Sequence, residues 1–350
     1  MKILITGNMG YIGSILTKKL KNAWSDATLI GFDSAYFAHC LTSTSIIPEA
    51  PLYCQYLGDI REFPNEILSN VDIVIHLAAI SNDPMGKKYE KITNEINANA
   101  SAHFAKAACD AGVKKFIFAS SCSMYGNAES GAKKENDELN PLTTYANSKV
   151  YMENILRELA NTKFNVTCLR FSTACGMSPR LRLDLVLNQF VASAVATGKI
   201  EILSDGTPWR PLIDVKDISR AIIWASKRDE SNGGNYVAVN VGRNDWNYQI
   251  KDIAAAVSKV IQGSQVEISK DGIPDKRSYK VDFSLYAKLA CDHLPQVDLK
   301  QSIQELHQGL TQMQFQDKNF RASRYIRLKA LEEMIDKKCL SSDLRHNIIG

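Results

Sequence analysis

Short apolar segments alternate with longer amphipathic ones along the N-terminal half of the chain, and this alternation restricts the fold more than any other feature. Segments with helical spacing of apolar residues, among them 11–23, 93–112 and 143–161, separate the apolar ones. Apolar strands that alternate with helices form parallel sheets covered on both faces. The sequence therefore predicts an α/β fold built on a doubly wound parallel sheet. Its predicted strands are KILIT (2–6), ATLIGFD (27–33), VDIVIHLAA (71–79), KKFIFAS (114–120) and FNVTCLRFS (164–172).

Composition argues against several classes of function. Lys and Arg number 42 against 38 Asp and Glu, an excess too small to indicate a nucleic-acid partner. No apolar run approaches the ~18 residues that cross a bilayer, so we expect no membrane role. The eight cysteines include no C-x-x-C pair and the six histidines are dispersed, which argues against disulfides and against a metal site. We expect a cytoplasmic protein with reduced thiols and no secretory leader.

The segment TGNMGYIGS follows the first predicted strand and begins the first predicted helix. Gly7 would permit a tight turn, Gly10 would let a diphosphate approach the backbone, and Gly13 would let the helix pack closely on the strand. Backbone N–H groups at the start of a helix favour phosphate. Strand, glycine spacing and helix together predict a dinucleotide-binding loop.

Two acidic residues follow later strands. Asp33 ends the second predicted strand, twenty residues after Gly13, where its carboxylate can accept hydrogen bonds from ribose hydroxyls. The same charge would repel a 2′-phosphate, which favours NAD over NADP. Asp59, in LGDI, is predicted to reach the adenine amino group.

The segment TTYANSK places Tyr145 and Lys149 four residues apart on one face of a predicted helix. A tyrosine titrates near pH ~10. The Lys149 ammonium and the positive nicotinamide of an oxidised cofactor would lower the pKa of Tyr145 and make it a usable acid or base. Ser121, in FASSCSMYG at the end of a predicted strand, could hydrogen-bond the hydroxyl or carbonyl that is interconverted.

Four motifs together, T-G-x-x-G-x-x-G, HLAA, SSCSMYG and YANSK, resemble the extended short-chain dehydrogenase/reductase family. Within it the chain is similar to the nucleotide-sugar epimerase/dehydratase branch, of the UDP-glucose 4-epimerase kind, up to about residue 285. The resemblance implies bound NAD, a nucleoside-diphosphate sugar in the C-terminal domain, and a catalytic triad of Ser121, Tyr145 and Lys149. The implied cofactor contacts are Gly7, Gly10, Tyr11, Ile12, Gly13, Asp33, Asp59, Ile60, Leu77, Ala78, Ala79, Asn97, Tyr145 and Lys149. The implied substrate contacts are Ser81, Ser123, Thr173, Arg180, Asn188, Arg210 and Arg277.

Arginines carry much of the implied substrate site. Arg210, in DGTPWRPLIDVKDI, and Arg277, in PDKRSYKVDFS, match family segments that hold the diphosphate. Planar guanidinium groups bind phosphate oxygens in pairs, so two arginines on one diphosphate are physically reasonable. Arg180 and Arg182 lie in a stretch that differs from the common epimerases, and we expect them to meet an anionic or unusual sugar.

One departure from the family narrows the reaction. Dehydratases and decarboxylases of the family carry an acidic residue or pair after the catalytic Ser or Thr, whereas Cys122 and Ser123 occupy those positions here. Loss of water needs an acid and a base besides the tyrosine, so dehydration is disfavoured. The favoured reaction is epimerisation of a nucleoside-diphosphate sugar, by transient oxidation at a ring carbon such as C4, in polysaccharide or glycoside precursor synthesis.

Two alternatives share these motifs. A 4-keto-sugar reductase would consume reduced nicotinamide, and a non-catalytic protein would keep the fold without the chemistry. The second is disfavoured because Ser121, Tyr145 and Lys149 are all present.

The organisation of the chain follows from the pattern after about residue 172, where the alternation loosens. We predict a Rossmann-type NAD-binding domain from residues 1–175 plus 212–241. Residues 176–211 plus 242–350 are predicted to form a smaller α/β substrate domain. The resemblance also implies a homodimer through the helices at about 92–111 and 143–161, with Ala100, Phe104, Tyr151 and Ile155 on their outward faces.

Overall fold

The computed structural model describes residues 1–269 and 277–347. Strands and helices follow one another along the whole of the described chain. The strands in chain order are β1 Lys2–Thr6, β2 Thr28–Asp33, β3 Cys54–Leu57, β4 Ile73–His76, β5 Lys115–Ser121, β6 Asn127–Lys133, β7 Asn165–Phe171, β8 Thr173–Cys175, β9 Lys199–Ile202, β10 Trp209–Asp214, β11 Tyr236–Val241, β12 Asn247–Gln249, β13 Gln265–Ile268 and β14 Ser278–Val281.

The central sheet has seven parallel strands in the order β11-β7-β5-β4-β1-β2-β3. Strand β1 lies between β2 and β4, with Leu4 opposite Ile30 on one side and opposite Val74 on the other. The order of the strands therefore reverses at β1, and ligands of such sheets bind outside the carboxyl ends of the strands at this switch point. The predicted doubly wound α/β fold is confirmed.

Helices cover both faces of the sheet and form most of the second unit. In chain order they are α1 Gly13–Ala23, α2 Asp83–Lys88, α3 Glu90–Asn94, α4 Ser101–Asp110, α5 Thr144–Leu159, α6 Val186–Thr197, α7 Val215–Lys227, α8 Ile250–Val260, α9 Ser284–Leu289, α10 Leu299–Gln312 and α11 Arg327–Asp336.

The predicted helix at 93–112 is a continuous helical run of mixed type. A π-helical segment, Glu95–Ala100, connects α3 to α4. π-helical turns widen the helix locally and are common at functional sites. Asn97 lies in this segment.

The interior divides into layers on the two faces of the sheet and a separate core beyond it. One layer contains Leu4, Val74 and Phe116, and the layer on the other face contains Ile3, Ile75 and Ile117, as the alternation of side chains along a strand requires. The separate core is formed by α6, α8 and α10 with the short strands β9 and β10. The predicted division into two domains stays a prediction.

The C-terminal segment returns to the first unit, which the sequence analysis did not anticipate. Leu331 of α11, together with Leu340 and Leu344, is buried in the same core layer as Leu4. The Tyr36 hydroxyl donates a hydrogen bond to the Leu344 carbonyl, and the Lys88 ammonium pairs with Glu332. Residues 327–347, called the C-terminal strap below, therefore pack against the sheet unit near the end of β2.

The prediction of which residues face outward on α4, α5 and the segment before α4 is partly wrong. Phe104 is 2% exposed and Ala100 is 7% exposed, and both pack in the core of their own chain. Tyr151 is 44% exposed, as expected for an outward position. Among the described residues, no helix combines the length and apolarity needed to cross a membrane.

Candidate active site

The turn between β1 and α1 packs directly against the backbone that follows β4. Gly7 has φ +75°, and a Cβ built on it would lie 2.6 Å from the amide nitrogen of Ala78. A Cβ on Gly13 would lie 2.2 Å from the Asn8 carbonyl oxygen. A side chain at Gly7 would collide with the backbone after β4, and one at Gly13 would collide with the turn itself. The two glycines thus allow the close packing that surrounds a backbone-lined cleft of the kind that receives a diphosphate.

This cleft, called the cofactor cleft below, opens at the switch point between β1 and β4. Ten of the predicted cofactor contacts line it: Gly7, Gly10, Tyr11, Ile12, Asp33, Asp59, Ile60, Leu77, Ala78 and Ala79. Gly13 and Asn97 do not line it. Gly13 instead sets the packing of α1, and their predicted cofactor roles stay predictions.

Asn97 acts on the backbone next to the cleft. Its side-chain oxygen accepts a hydrogen bond from the Ile80 N–H at 2.8 Å, and its amide nitrogen donates to the Ile80 carbonyl at 2.9 Å. The same nitrogen lies 3.4 Å from the Ser148 hydroxyl on α5. Asn97 is 2% exposed, so it fixes the loop after β4 relative to α5 and does not project into the cleft.

The two predicted acidic residues are held differently. Asp33 accepts hydrogen bonds from the N–H groups of Met9 at 2.9 Å and Ala35 at 2.7 Å, which fix its carboxylate at the end of β2. Burial raises the pKa of Asp33, and these hydrogen bonds oppose that shift. The Asp59 carboxylate lies against the Arg61 guanidinium, with the Arg61 Nε 2.9 Å from its Oδ2. Its predicted contact with adenine stays a prediction.

The three predicted catalytic side chains meet in a second cavity of about 600 Å³ that adjoins the cofactor cleft. Ser121 ends β5, and Tyr145 and Lys149 lie in the first turns of α5. The Ser121 hydroxyl donates to the Ser123 hydroxyl at 2.9 Å and lies beside the Tyr145 phenol, near enough to affect its pKa. The Lys149 Nζ lies 5.5 Å from the centre of the Tyr145 ring. The fold therefore brings these residues together from two elements at the carboxyl end of the sheet.

The pKa of Tyr145 is not lowered by the protein as the sequence analysis expects. Burial raises the pKa of Tyr145 to about 12, and the adjacent Ser121 only partly offsets it. Burial lowers the pKa of Lys149 to about 7, although Cys168 and Glu153 act in the opposite direction. The protein alone therefore does not lower the pKa of Tyr145. The lowering predicted above has to come from charges that join the site, with Lys149 protonated.

Most of the predicted substrate contacts line the second cavity, called the substrate cavity below. Arg210 comes from β10 and Arg277 from the residue before β14, and their side chains reach the same wall. Arg210 donates a hydrogen bond to the Arg277 carbonyl, and the Arg277 guanidinium pairs with Asp83. The predicted contacts that line the cavity are Ser81, Ser123, Thr173, Arg210 and Arg277.

Arg180 and Asn188 do not line the substrate cavity, and their predicted substrate contacts stay predictions. The Arg180 guanidinium is 2% exposed and forms a buried pair with Glu49. The Asn188 side chain accepts from the Gly176 N–H and donates to the Arg182 carbonyl, each at 2.9 Å. Both residues support the fold around the site, and Asn188 positions the backbone of Arg182.

Arg182 lies between the two spaces and lines both of them. Its guanidinium donates to Asp184 at 2.9 Å and to the Ser81 hydroxyl at 3.1 Å. Sequence reasoning paired it with Arg180 as a substrate contact, and only Arg182 faces the cavity.

Other lining residues were missed. Asp83 and Asp184 line the substrate cavity, and Arg327 of the C-terminal strap lines the cofactor cleft. No local motif marks these positions, because each reaches the site through contacts distant in sequence. Among the described residues, no group of His, Cys, Asp or Glu is arranged to hold a metal ion.

The sequence model of the NAD dependent epimerase/dehydratase family matches residues 3–242. The chain belongs to this family. It is therefore an enzyme of the NAD-dependent sugar-nucleotide type, and the cleft that Gly7 and Gly10 line is where the family's NAD fits.

The relatives of this chain are named for different activities. The UDP-glucose 4-epimerase of Bacillus subtilis (strain 168) is 29% identical, over 74% of this chain and 82% of that protein. The UDP-N-acetyl-alpha-D-glucosaminuronate decarboxylase of Bacillus cytotoxicus is 26% identical, over 89% of this chain and 98% of that protein. The solved UDP-glucuronic acid 4-epimerase of Bacillus cereus, in complex with UDP-glucuronic acid and NAD, superposes with a TM-score of 0.75. The two sequences are 25% identical, and the superposition covers 89% of this chain and 100% of the other. The reaction of this family member must therefore be argued from its own site.

Proposed function

We propose that the protein is an NAD-dependent nucleoside-diphosphate-sugar epimerase that inverts a ring carbon, C4 in our proposal, without net oxidation. One observation carries the proposal. Ser121, Tyr145 and Lys149 meet in the substrate cavity, and Cys122 and Ser123 stand where dehydratases have acidic residues. The site thus offers proton transfer at one sugar hydroxyl, and its relatives include epimerases of UDP sugars.

The chain's own residues have distinct roles in this proposal. The residues that line the cofactor cleft would hold NAD, which would supply reversible hydride transfer at the ring carbon. Tyr145 removes the proton from the hydroxyl on that carbon and later gives it back. Ser121 lies beside the phenol and orients it. Lys149, with a pKa of about 7, can carry the positive charge that favours the phenolate.

The acidic residues of the substrate cavity support epimerisation over dehydration. Burial alone would raise the pKa of Asp184, but the adjacent Arg182 outweighs it and holds that pKa below its usual range. Asp83 is paired with Arg277 and accepts a hydrogen bond from the Thr143 hydroxyl at 2.7 Å. The Asp184 carboxylate therefore stays ionised and is a poor proton donor, whereas Asp83 is occupied by its pair with Arg277. Both residues are better suited to fixing arginines than to expelling water from the sugar.

The residues next to Ser121 support the same choice. The Cys122 thiol is fully buried and donates to the Arg170 carbonyl at 3.1 Å. Burial raises the pKa of Cys122 well above its usual range, so it remains a neutral thiol. Ser123 lines the cavity but has no acidic proton to give.

We place the diphosphate of the substrate against Arg210 and Arg277. Both line the substrate cavity, and the Arg210 guanidinium also lies 5.8 Å from the centre of the Tyr279 ring. Guanidinium groups from two elements can bind both phosphates of a diphosphate.

The decisive experiment follows product formation from a panel of nucleoside-diphosphate sugars by NMR, with NAD bound and no added reductant. The proposal expects an epimer and no net change in the absorbance of the nicotinamide. In a parallel reaction with added NADH, stoichiometric consumption of the reduced nicotinamide would instead identify a keto-sugar reductase. A 5,6-unsaturated or a 4-keto-6-deoxy product would identify a dehydratase, and either outcome would contradict the proposal.

Tyr145→Phe tests the assignment of the base. Removing the phenol hydroxyl leaves no group to take the sugar proton, so turnover should fall by at least about 100-fold while NAD stays bound. Tyr286→Phe is the matched control, because its hydroxyl is also buried but donates to the His293 carbonyl outside both spaces. Activity of Tyr145→Phe close to that of the control would refute the role of Tyr145.

A further inference from the structure

Arg327 is a buried cation at the wall of the cofactor cleft, contributed by the first residue of α11. Its side chain is 1% exposed. The Nη2 group donates to the Arg180 carbonyl at 3.0 Å, and the guanidinium carbon lies 4.6 Å from the centre of the Phe37 ring. The Nη1 group is buried and has no hydrogen-bond partner within the part of the chain that the structure describes.

The charge of Arg327 also lacks a direct counter-ion. Burial lowers its pKa to about 10, so the guanidinium remains charged near neutral pH. Asp184 is close enough to oppose this shift, but its carboxylate is held by Arg182 at 2.9 Å. None of the acidic residues in 1–269 or 277–347 forms an ion pair with Arg327. A buried charge without a partner is costly, so an anion at this position would stabilise the folded protein.

The surroundings indicate which anion fits. Arg327 is linked to the first turn of α1 through Arg180. Arg327 donates to the Arg180 carbonyl, and the Arg180 Nη1 donates to the Ser14 hydroxyl at 3.2 Å. Backbone N–H groups at the start of a helix favour phosphate. Gly10 and Ile12, at the start of α1, line the same cleft. Asp33 also lines it, and its carboxylate disfavours a phosphate on the adenosine ribose.

We propose that Arg327 binds the diphosphate of the bound dinucleotide through its unpartnered Nη1. The C-terminal strap is then part of the cofactor site. The family match ends at residue 242, so this contact lies outside the part of the chain that the family model describes. The inference rests on NAD binding and is independent of which sugar reaction follows.

The test measures ligand affinity of cofactor-free protein by calorimetry, with no sugar present. Arg327→Gln removes the charge and the fork of donors, and Arg324→Gln removes the same charge from an exposed position three residues earlier in the chain. Because Arg327→Gln removes charge-assisted hydrogen bonds, it should weaken the binding of NAD and of ADP by about 10- to 100-fold. Adenosine, which has no phosphate, should bind the variant and the wild type equally. Arg324→Gln should bind all three as the wild type does.

Several results would overturn the proposal. NAD affinity of Arg327→Gln within about twofold of wild type would show that the diphosphate does not need this residue. Equal loss for adenosine and NAD would show a role in the shape of the cleft. A loss of affinity for NADP much larger than the loss for NAD would show that Arg327 contacts a phosphate on the ribose and not the diphosphate.

Thermal unfolding separates ligand binding from a structural role. Without cofactor, Arg327→Gln should melt no lower than the wild type, because it removes an uncompensated buried charge. With saturating NAD its melting temperature should rise less than that of the wild type. A lower melting temperature without cofactor and an undiminished rise with NAD would contradict the proposal. If Arg327→Gln does not fold, Arg327→Lys keeps the charge but loses the planar fork, and should lose about tenfold in NAD affinity with unchanged cofactor-free stability.

Discussion

Gly7 shows how a single residue can serve both the fold and the cofactor cleft. Its φ of +75° is a conformation that L residues adopt at a cost of about 1–2 kcal/mol. Its Cα also faces the backbone after β4, where there is no room for a methyl group. The same lack of a side chain keeps the cleft open beside Ala78.

Gly7→Ala should therefore destabilise the protein by about 2–4 kcal/mol, through backbone strain and overpacking together, and should weaken NAD binding. Gly112→Ala is the matched control, because Gly112 has φ +81° and nothing within 4 Å of a built Cβ. It should cost about 1–2 kcal/mol, from backbone strain alone. Urea unfolding and NAD titration of both variants measure the two effects. Equal destabilisation by the two substitutions would contradict the steric explanation.

Residues within local motifs could be predicted from the sequence, and residues whose partners are distant could not. Gly7 and Tyr145 were identified because the strand, turn or helix around each is encoded by its neighbours. The ion pair of Arg180 could not be predicted, because its partner, Glu49, lies 131 residues away. Arg327 was missed for the same reason, since the sequence of α11 has only a thin apolar stripe and does not show that α11 returns to the sheet.

Asp214 links three elements of the fold, namely β10, α7 and α10. It ends β10, accepts a hydrogen bond from the Lys216 N–H at the start of α7, and accepts another from the Ser302 hydroxyl of α10 at 2.6 Å. Burial raises its pKa to about 6. A junction between the sheet unit and the helical core therefore contains a carboxylate that is costly to ionise.

Asp214→Asn should be more stable than the wild type above about pH 6. The folded-state pKa is raised, so the folded protein binds this proton more tightly than the unfolded chain. The associated stabilisation is present below about pH 4 and is lost as the pH rises to about 6. Asparagine keeps the cap of α7 and carries no charge, so its advantage should grow over this window by up to about 3 kcal/mol.

Unfolding of wild type and variant at about pH 4 and about pH 7 measures this difference. Asp298→Asn is the control, because Asp298 caps α10 from an exposed position. A difference between wild type and Asp214→Asn that does not change with pH would contradict the raised pKa.

Elements were predicted best where the hydrophobic pattern is long. The strands β1, β2, β4, β5 and β7 coincide with the predicted apolar segments to within about two residues at most ends, because burial on both faces demands an uninterrupted apolar run. The π-helical segment was not predicted, since the spacing of its apolar residues resembles that of an α-helix. The strands β8 and β12 have three residues each, too few to show a period.

At the scale of the whole molecule, the helices α4 and α5 remain our proposed dimer interface. Burial of Phe104 within its own chain removes it from the contact surface, and Tyr151 is then the largest exposed apolar side chain on α5. Isologous dimers place the same patch of each copy in contact, so one substitution acts twice.

Tyr151→Glu should place two carboxylates in this interface and shift the protein from dimer to monomer, weakening association by at least about 100-fold. Light scattering after size exclusion measures the mass of both forms. Tyr53→Glu is the control, because Tyr53 is 82% exposed and lies before β3 at the edge of the sheet. A dimeric Tyr151→Glu, or a monomeric wild type, would contradict the proposed interface.

The position of Arg327 in the chain also affects the order in which the site is completed during synthesis. Arg327 follows Gly7 by 320 residues, and ribosomes add about 5–20 residues per second. The two walls of the cofactor cleft are thus made roughly 15 to 60 s apart. A nascent chain that has formed β1 to β7 contains the glycine loop without the C-terminal strap. From the proposed contact of Arg327 with the diphosphate, we expect tight retention of NAD only after α11 has left the ribosome.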